Sequence, residues 1–324
     1  MNIRQLRYIC AVARHDLNVS ATAESLFTSQ PGVSKQIRQL EDELDVQIFE
    51  RSGRQLTRIT PAGEAIIELA NRALIEIDTI KSTAQEFNEP GRGSLSIATT
   101  QTQARYALPD VLGALHARYP KLSVALHQGT PNQIARLVSD GEADVAIATE
   151  AMEHFEDLVM LPCYRWHRGV VVPEGHPLAG TEPLTLAQLA HHPIVTYTFG
   201  FSAGSSLDAA FRAARVTPRI GLTATDADVI KTHVREGLGV GIVARMAHQP
   251  DQDDGLVMRD ASHLFRASTT RIGFRRGSYL RGFTYEFIEA FAPHLTREVV
   301  DTARALRSRS ALDALFVDTD LPVR

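Results

Sequence analysis

Residues 18–38 read NVSATAESLFTSQPGVSKQIR, and this stretch decides how the first part of the chain folds. From Asn18 to Leu26 the spacing predicts a short helix with Val19, Ala23 and Leu26 on one face. Phe27-Thr28-Ser29-Gln30 forms a tight connection, and a second helix starts at Pro31, since proline lacks the N–H that a first helical turn leaves without a partner. On that helix Val33, Ile37, Leu40 and Leu44 recur at helical steps and form an apolar packing stripe. The opposite stripe is Pro31, Ser34, Lys35 and Arg38. Two short helices at a tight turn, the second exposing a hydroxyl, an ammonium and a guanidinium, suit a reading helix in a DNA major groove. An ordinary helical pair with a solvated polar face has the same stripe.

The residues downstream favour the DNA reading. Phe49-Glu50-Arg51, a Ser52-Gly53-Arg54 turn and Gln55-Leu56-Thr57-Arg58-Ile59 read as a small hairpin. Its arginines, Arg51, Arg54 and Arg58, make it a basic wing for the DNA backbone. Candidate DNA contacts are therefore Thr28, Gln30, Pro31, Ser34, Lys35, Arg38, Arg51 and Arg54. Thr60-Pro61 then supplies an N-cap and a first-turn proline for one long helix. Along it Ile66, Ala70, Ala73, Ile77, Ile80, Ala84 and Phe87 alternate steps of four and three, a seven-residue repeat. Such a repeat averages 3.5 residues per turn and marks a two-helix seam, which predicts a dimer; the alternative is packing on the chain's own domain. Asn88-Glu89-Pro90-Gly91-Arg92-Gly93 is a Pro/Gly break that ends the helix.

A length of 324 residues favours two or three compact units. The net charge of −4, from 34 Lys and Arg against 38 Asp and Glu, argues against a protein coated in basic residues and leaves room for a local basic surface. Cys10 and Cys163 lie far apart in apolar runs, the pattern of buried reduced thiols. The N-terminus lacks an apolar signal region, and no stretch approaches the roughly 20 apolar residues of a membrane span, so a cytoplasmic protein with no membrane partner is expected.

From Gly93 onward strand-like runs such as Leu95-Ser96-Ile97-Ala98 and Asp144-Val145-Ala146-Ile147-Ala148 alternate with helical ones such as Ala104 to Tyr119. This alternation predicts an α/β architecture with parallel sheets flanked by helices. A strand near Arg168 to Val172 opens a second unit, and Thr270 to Phe274 returns to the first. Hydroxyl-rich loops follow the strands: Thr99-Thr100-Gln101-Thr102-Gln103, Thr149, Thr198 to Ser206, and Thr225. Neutral donors with helix N-terminal N–H groups can hold an anion without a cation, although Ser and Thr before a helix are also ordinary caps.

Residues 1–87, above all the run Ala21 to Ile37 (ATAESLFTSQPGVSKQI), resemble the DNA-binding region and linker helix of LysR-type transcription regulators. The runs Ile97 to Pro109 and Thr223 to Thr232, with Ala292-Pro293-His294-Leu295-Thr296-Arg297, are similar to the family's activators of cysteine biosynthesis genes. The resemblance covers essentially the whole chain. It implies a winged helix-turn-helix over 1–60, a dimerisation linker helix and hinge over 61–92, and an effector-binding domain over 93–324. The last would hold two Rossmann-like subdomains like those of a periplasmic binding protein, 93–163 with 268–324 and 164–267, with crossovers near Cys163 and Ala267. The implied ligand residues are Thr100, Thr102, Gln103, Thr149 and Ser202. Ser202 stands where related activators usually carry threonine, which keeps the hydroxyl and changes its rotamer freedom. The implied effector is N-acetylserine or O-acetylserine, with sulfate or thiosulfate competing, and no cofactor. The implied partners are promoter DNA, further copies in a dimer of dimers, and RNA polymerase. A regulator of sulfonate use would look nearly the same.

Two other classes compete. Gly200-Phe201-Ser202-Ala203-Gly204 fits the G-x-S-x-G of a hydrolase nucleophile elbow, with Asp226 and His233 following in order, but the pattern arises often by chance. A solute-binding protein would explain only the C-terminal half. His191-His192 lacks partners at zinc-ligand spacing. Trp166 suits either a cleft mouth or a core, and Arg297 to Leu315 a helical cap on the first subdomain or an oligomer contact.

Overall fold

The computed structural model describes residues 1–53, 55–89, 91–149, 155, 157–201 and 205–324. The chain divides into two units, Met1–Asn88 and Glu89–Arg324.

In the first unit, α1 (Ile3–Arg14) opens on a capping box between Asn2 and Gln5. Asn18 caps α2 (Val19–Ser25), and Ser29 caps α3 (Gln30–Leu44), so α3 begins one residue before Pro31. Val33, Ile37 and Leu40 join Ile9, Val12, Ile48 and Phe49 in the core. Leu44 is exposed, which shortens the expected stripe: Asp45 turns left-handed at φ 51° and ends the helix. Strands β1 (Phe49–Ser52) and β2 (Gln55–Ile59) pair antiparallel as the expected hairpin. Thr60 accepts the Gly63 N–H at 2.9 Å and starts α4 (Pro61–Asn88). A Cβ at Gly63 would lie 2.1 Å from the Ile48 carbonyl oxygen, so only glycine lets α4 pass the hairpin this closely. The heptad stripe divides. Ile66 and Ala70, with Ile67 and Leu74, complete the unit's own core. Ala73 and Ala84 are exposed, as are Ile80 (69%) and Phe87 (81%).

The second unit holds two five-stranded sheets. The first has the order β4-β3-β5-β12-β6, from β3 (Gly93–Thr99), β4 (Leu122–Gln128), β5 (Val145–Ala148), β6 (Leu158–Trp166) and β12 (Ser268–Arg275). The second has the order β11-β7-β10-β8-β9, from β7 (Arg168–Pro173), β8 (Pro193–Tyr197), β9 (Arg219–Ala224), β10 (Val240–Ala244) and β11 (Leu256–Asp260). The sheets are mixed rather than purely parallel, because the strands next to the crossings, β6, β7, β11 and β12, run antiparallel to their neighbours. β6 stays paired with β12 through Trp166, which moves the first crossing from Cys163 to His167. The expected helix from Ala104 to Tyr119 is two helices, α5 (Gln101–Tyr106) and α6 (Pro109–Arg118), because Pro109 opens a new first turn. Helices α7 (Pro131–Ser139), α8 (Leu186–Ala190), α9 (Ser206–Ala213), α10 (Ala227–Arg235) and α11 (Gly282–Phe291) flank the sheets. After them, α12 (Arg297–Ala305) and α13 (Arg309–Leu315) add Val300, Ala303 and Leu312 to the first sheet's core, the expected cap on that subdomain. The second subdomain has its own apolar clusters, around Phe211 and Phe265 and around Ile230 and Val234.

Candidate functional sites

In the first unit Gln30, Pro31, Lys35 and Arg38 are exposed, while Thr28 and Ser34 are half-buried. Gln30 donates to the Ser34 hydroxyl at 3.2 Å, which orders the start of the polar stripe. Lys35 and Arg38 form no ion pair among the described residues, so both charges face solvent. Arg51 is engaged differently. Its guanidinium lies 2.6 Å from a carboxylate oxygen of Glu41, which is only 6% exposed, while the other oxygen accepts the Ile48 and Phe49 N–H groups at 2.9 and 3.1 Å. Arg51 thus neutralises a buried carboxylate and ties the hairpin to α3, a role sequence reasoning missed because the partner lies ten residues away on another element. Arg58 pairs with Glu50 at 2.6 Å, and Arg54 lies outside the described residues.

In the second unit the start of α5, just after β3, meets residues of the other sheet. Thr102 donates to the Tyr197 hydroxyl at 3.3 Å, and that hydroxyl accepts the Ala244 N–H at 3.2 Å. Gln103 donates to Thr270 at 3.2 Å and accepts from the Tyr164 hydroxyl. Burial pushes the Tyr164 phenol up to about 12, which keeps it a neutral donor. Thr149 lies 3.4 Å from Thr270, hydroxyl to hydroxyl, and accepts the Trp166 indole N–H at 3.3 Å. Thr100, Thr102, Gln103 and Thr149 therefore belong to one polar cluster or border it. Thr100 is buried at the N-cap of α5, yet its hydroxyl makes no capping bond.

Thr225 is exposed, and Asp226 supplies the cap of α10 by accepting the Asp228 N–H at 2.8 Å. Ser202 lies outside the described residues, and with it the centre of the G-x-S-x-G pattern. Arg168 is buried, donates to Ser268 at 3.0 Å and stacks over Trp166 at 5.3 Å, whose indole N–H Thr149 accepts. Sequence reasoning missed Arg168, Tyr197, Ser268 and Thr270 as site residues; Arg168 and Ser268 open the strands after the two crossings, and Tyr197 ends β8.

The same short helix also anchors a charged network. The Lys231 ammonium is buried, 2.8 Å from Asp253, 3.0 Å from Asp228 and 3.1 Å from the Tyr106 hydroxyl, and donates to the Ala247 carbonyl at 2.7 Å. Arg105 reaches Asp228 at 2.8 Å, and His248 lies 3.1 Å from Asp253. Burial opposes charge on Asp228 and Asp253, but hydrogen bonds, those from Lys231 included, outweigh it and hold both carboxyls below their usual range. Arg105 and Tyr106 sit on α5 and the other members in the second subdomain, so the network joins the two sheets.

Among the described residues no group of three or more His, Cys, Asp or Glu could hold a metal ion, and no helix is long and apolar enough to cross a membrane. His192 packs edge-on against His176, ring centres 4.6 Å apart.

Residues 3–64 match the family described as bacterial regulatory helix-turn-helix protein, lysR family, and residues 88–296 match the LysR substrate binding domain. The chain is 50% identical over 324 residues to the HTH-type transcriptional regulator CysB of Haemophilus influenzae, covering 100% of both. It is 50% identical over 295 residues to SsuR of Burkholderia cenocepacia, covering 91% of this chain and 96% of that one. Among solved structures, the cofactor-binding domain of the Cbl transcriptional regulator is 41% identical with a TM-score of 0.62, covering 65% of this chain and 92% of its own.

Proposed function

The chain belongs to the LysR family of DNA-binding transcriptional regulators, and we propose that within it this protein activates genes of cysteine biosynthesis and sulfur assimilation in response to a small anionic metabolite. It is a regulator and not a hydrolase. The observation that carries the effector reading is the buried polar cluster between the two sheets, with a Thr100 hydroxyl that no cap uses. The proposed effector is N-acetylserine or O-acetylserine, with sulfate or thiosulfate competing, held by Thr100, Thr102, Gln103, Thr149 and Ser202. Arg168 supplies positive potential at the edge of the site.

The proposed domain plan is DNA reading by 1–60, dimerisation and hinge by 61–92, and effector binding by 93–324, with the first subdomain crossing at His167. Lys35 and Arg38 reach base edges or phosphates, Thr28, Gln30, Pro31 and Ser34 frame them, and Arg51 holds the hairpin in place. A ligand that bridges the sheets favours one of their arrangements, and the population shift passes through α4 to the spacing of the reading helices. The proposed assembly is a cytoplasmic dimer of dimers that contacts RNA polymerase at the promoter.

The match to SsuR, equal in identity to that with CysB, favours a second reading, control of sulfonate use. Fluorescence anisotropy of labelled cysteine-biosynthesis and sulfonate-use promoters, with and without N-acetylserine, in wild type and Thr100→Ala, tests both. The expected result is an inducer effect on the cysteine promoter in wild type only. Binding that ignores the inducer in both proteins removes the acetylserine assignment, and preference for the sulfonate promoter selects the second reading.

A further inference from the structure

Helix α5 makes two different kinds of contact within its short length. Thr102 and Gln103 on its first turn reach the polar cluster between the sheets, while Arg105 and Tyr106 on its last turn reach the second subdomain. At 1.5 Å per residue the helix is about 9 Å long. The Thr100 and Gln103 carbonyls accept the Ala104 and Ala107 N–H groups at 3.0 and 3.1 Å, so the two turns move as one piece. What Tyr106 meets on the other side is already complete without it. Asp228 and Lys231 lie 3.0 Å apart on α10, Lys231 lies 2.8 Å from Asp253 and donates to the Ala247 carbonyl at 2.7 Å, and the Gln249 N–H donates to Asp253 at 2.8 Å. All of these residues belong to the second subdomain, which therefore presents a preformed, self-neutralised socket.

Into this socket the first subdomain inserts one hydroxyl. The Tyr106 hydroxyl donates to Asp228 at 2.7 Å and accepts from the Lys231 ammonium at 3.1 Å, and its ring packs against the apolar cluster around Ile230 and Val234. Burial and the bond to Asp228 push the phenol up to about 12, so it stays neutral and serves as donor and acceptor at once. Arg105 adds an ion pair to the other Asp228 oxygen at 2.8 Å. Withdrawal of Tyr106 leaves Lys231 paired with both Asp228 and Asp253, so no buried charge is orphaned and the contact can open and close. Had the ammonium and its carboxylates stood on opposite subdomains, opening would carry the full penalty of an unpaired buried charge. We propose that Tyr106 and Arg105 form a reversible latch that sets the arrangement of the two subdomains before any ligand binds, and that an effector acts on this latch through α5. A ligand seated against Thr100 and Thr102 fixes the first turn where the last turn reaches its socket, and so favours the latched arrangement. The coupling to a ligand rests on the effector reading given above; the latch itself does not.

Hydrogen–deuterium exchange of the full-length protein without ligand tests the latch in wild type, Tyr106→Phe and Arg105→Ala. Tyr106→Phe keeps the ring and removes two hydrogen bonds to charged groups. Its α5 amides are expected to exchange about tenfold faster or more, since one such bond holds at least that much in population, while the amides of β8 and β10 keep their wild-type rates. Arg105→Ala removes a half-exposed side chain that the fold does not need, and is expected to shift α5 the same way by about threefold or less. Calorimetric titration with N-acetylserine then reads the coupling. The apparent affinity is expected to fall in Tyr106→Phe, by up to about tenfold, because only the latched fraction binds, and saturating N-acetylserine returns α5 to wild-type protection. Unchanged α5 exchange in Tyr106→Phe overturns the latch, as does faster exchange shared equally by β8 and β10, which marks a purely structural role. If α5 responds as expected and N-acetylserine binds neither protein, the acetylserine assignment falls and the latch stands. Equal affinity in both proteins overturns the coupling through α5.

Discussion

Replacement of Lys231 by methionine keeps the length of the side chain and removes a charge with four partners. The ammonium is 3% exposed and bonded to Asp228, Asp253, Tyr106 and the Ala247 carbonyl. Its loss leaves Asp253, itself 5% exposed, with the Gln249 N–H at 2.8 Å and His248 at 3.1 Å. Breaking a buried ion pair costs about 3–5 kcal/mol. Those remaining donors place Lys231→Met at the lower end, about 3 kcal/mol. Trp166 is the single tryptophan and lies in the second unit, so its fluorescence in urea follows that unit alone. A cycle with Asp253→Asn separates the pair from its members: the double variant is expected to recover much of the loss, because no buried charge is then left uncompensated. The pH dependence has a fixed sign. Asp228 and Asp253 have carboxyls held below their usual range, so their contribution is present in full at neutral pH, above the unfolded value. It is lost as pH falls through the lower folded value. In Lys231→Met that acid-side loss is smaller. A cost below about 1 kcal/mol, or a double variant whose loss equals the sum of the single losses, refutes the reasoning.

In the first unit, Lys35→Ala and Arg38→Ala are each expected to weaken promoter binding by about 1–3 kcal/mol with no change in the melting of the unit, since both side chains are exposed; anisotropy against salt concentration separates base from phosphate contacts. Gly63→Ala sets a methyl group against the Ile48 carbonyl oxygen and should destabilise the first unit by about 1–3 kcal/mol, read by thermal melting, with an unchanged melt counting against the close approach. Ile80→Asp with Phe87→Asp is expected to dissociate the dimer while leaving helical content intact, and sedimentation that still reports a dimer moves the seam elsewhere. Tyr197→Phe removes the acceptor of both Thr102 and the Ala244 N–H and should cost about 1–3 kcal/mol in stability of the second unit, measured by the same tryptophan signal.

What the sequence determined by itself is local. Ser29 and Pro31 start α3, Thr60 and Pro61 start α4, and the apolar period along α4 marks one long helix, because caps and hydrophobic period act within a few residues. The alternation of strands and helices after Gly93, and hydroxyls where strands end, were legible for the same reason. The tertiary structure decided the pairings. It divided the heptad stripe between the unit's own core and an uncovered face, and it set Arg51 beside the buried Glu41. It moved the first subdomain crossing to His167, since the pairing of β6 with β12 runs on through Trp166. It set Thr102 against Tyr197 and Gln103 against Thr270, pairs 95 and 167 residues apart. It also buried Lys231 among Tyr106, Asp228 and Asp253. Period and capping carry no record of such contacts, because a buried charge or hydroxyl is stable only beside partners that folding brings from distant segments.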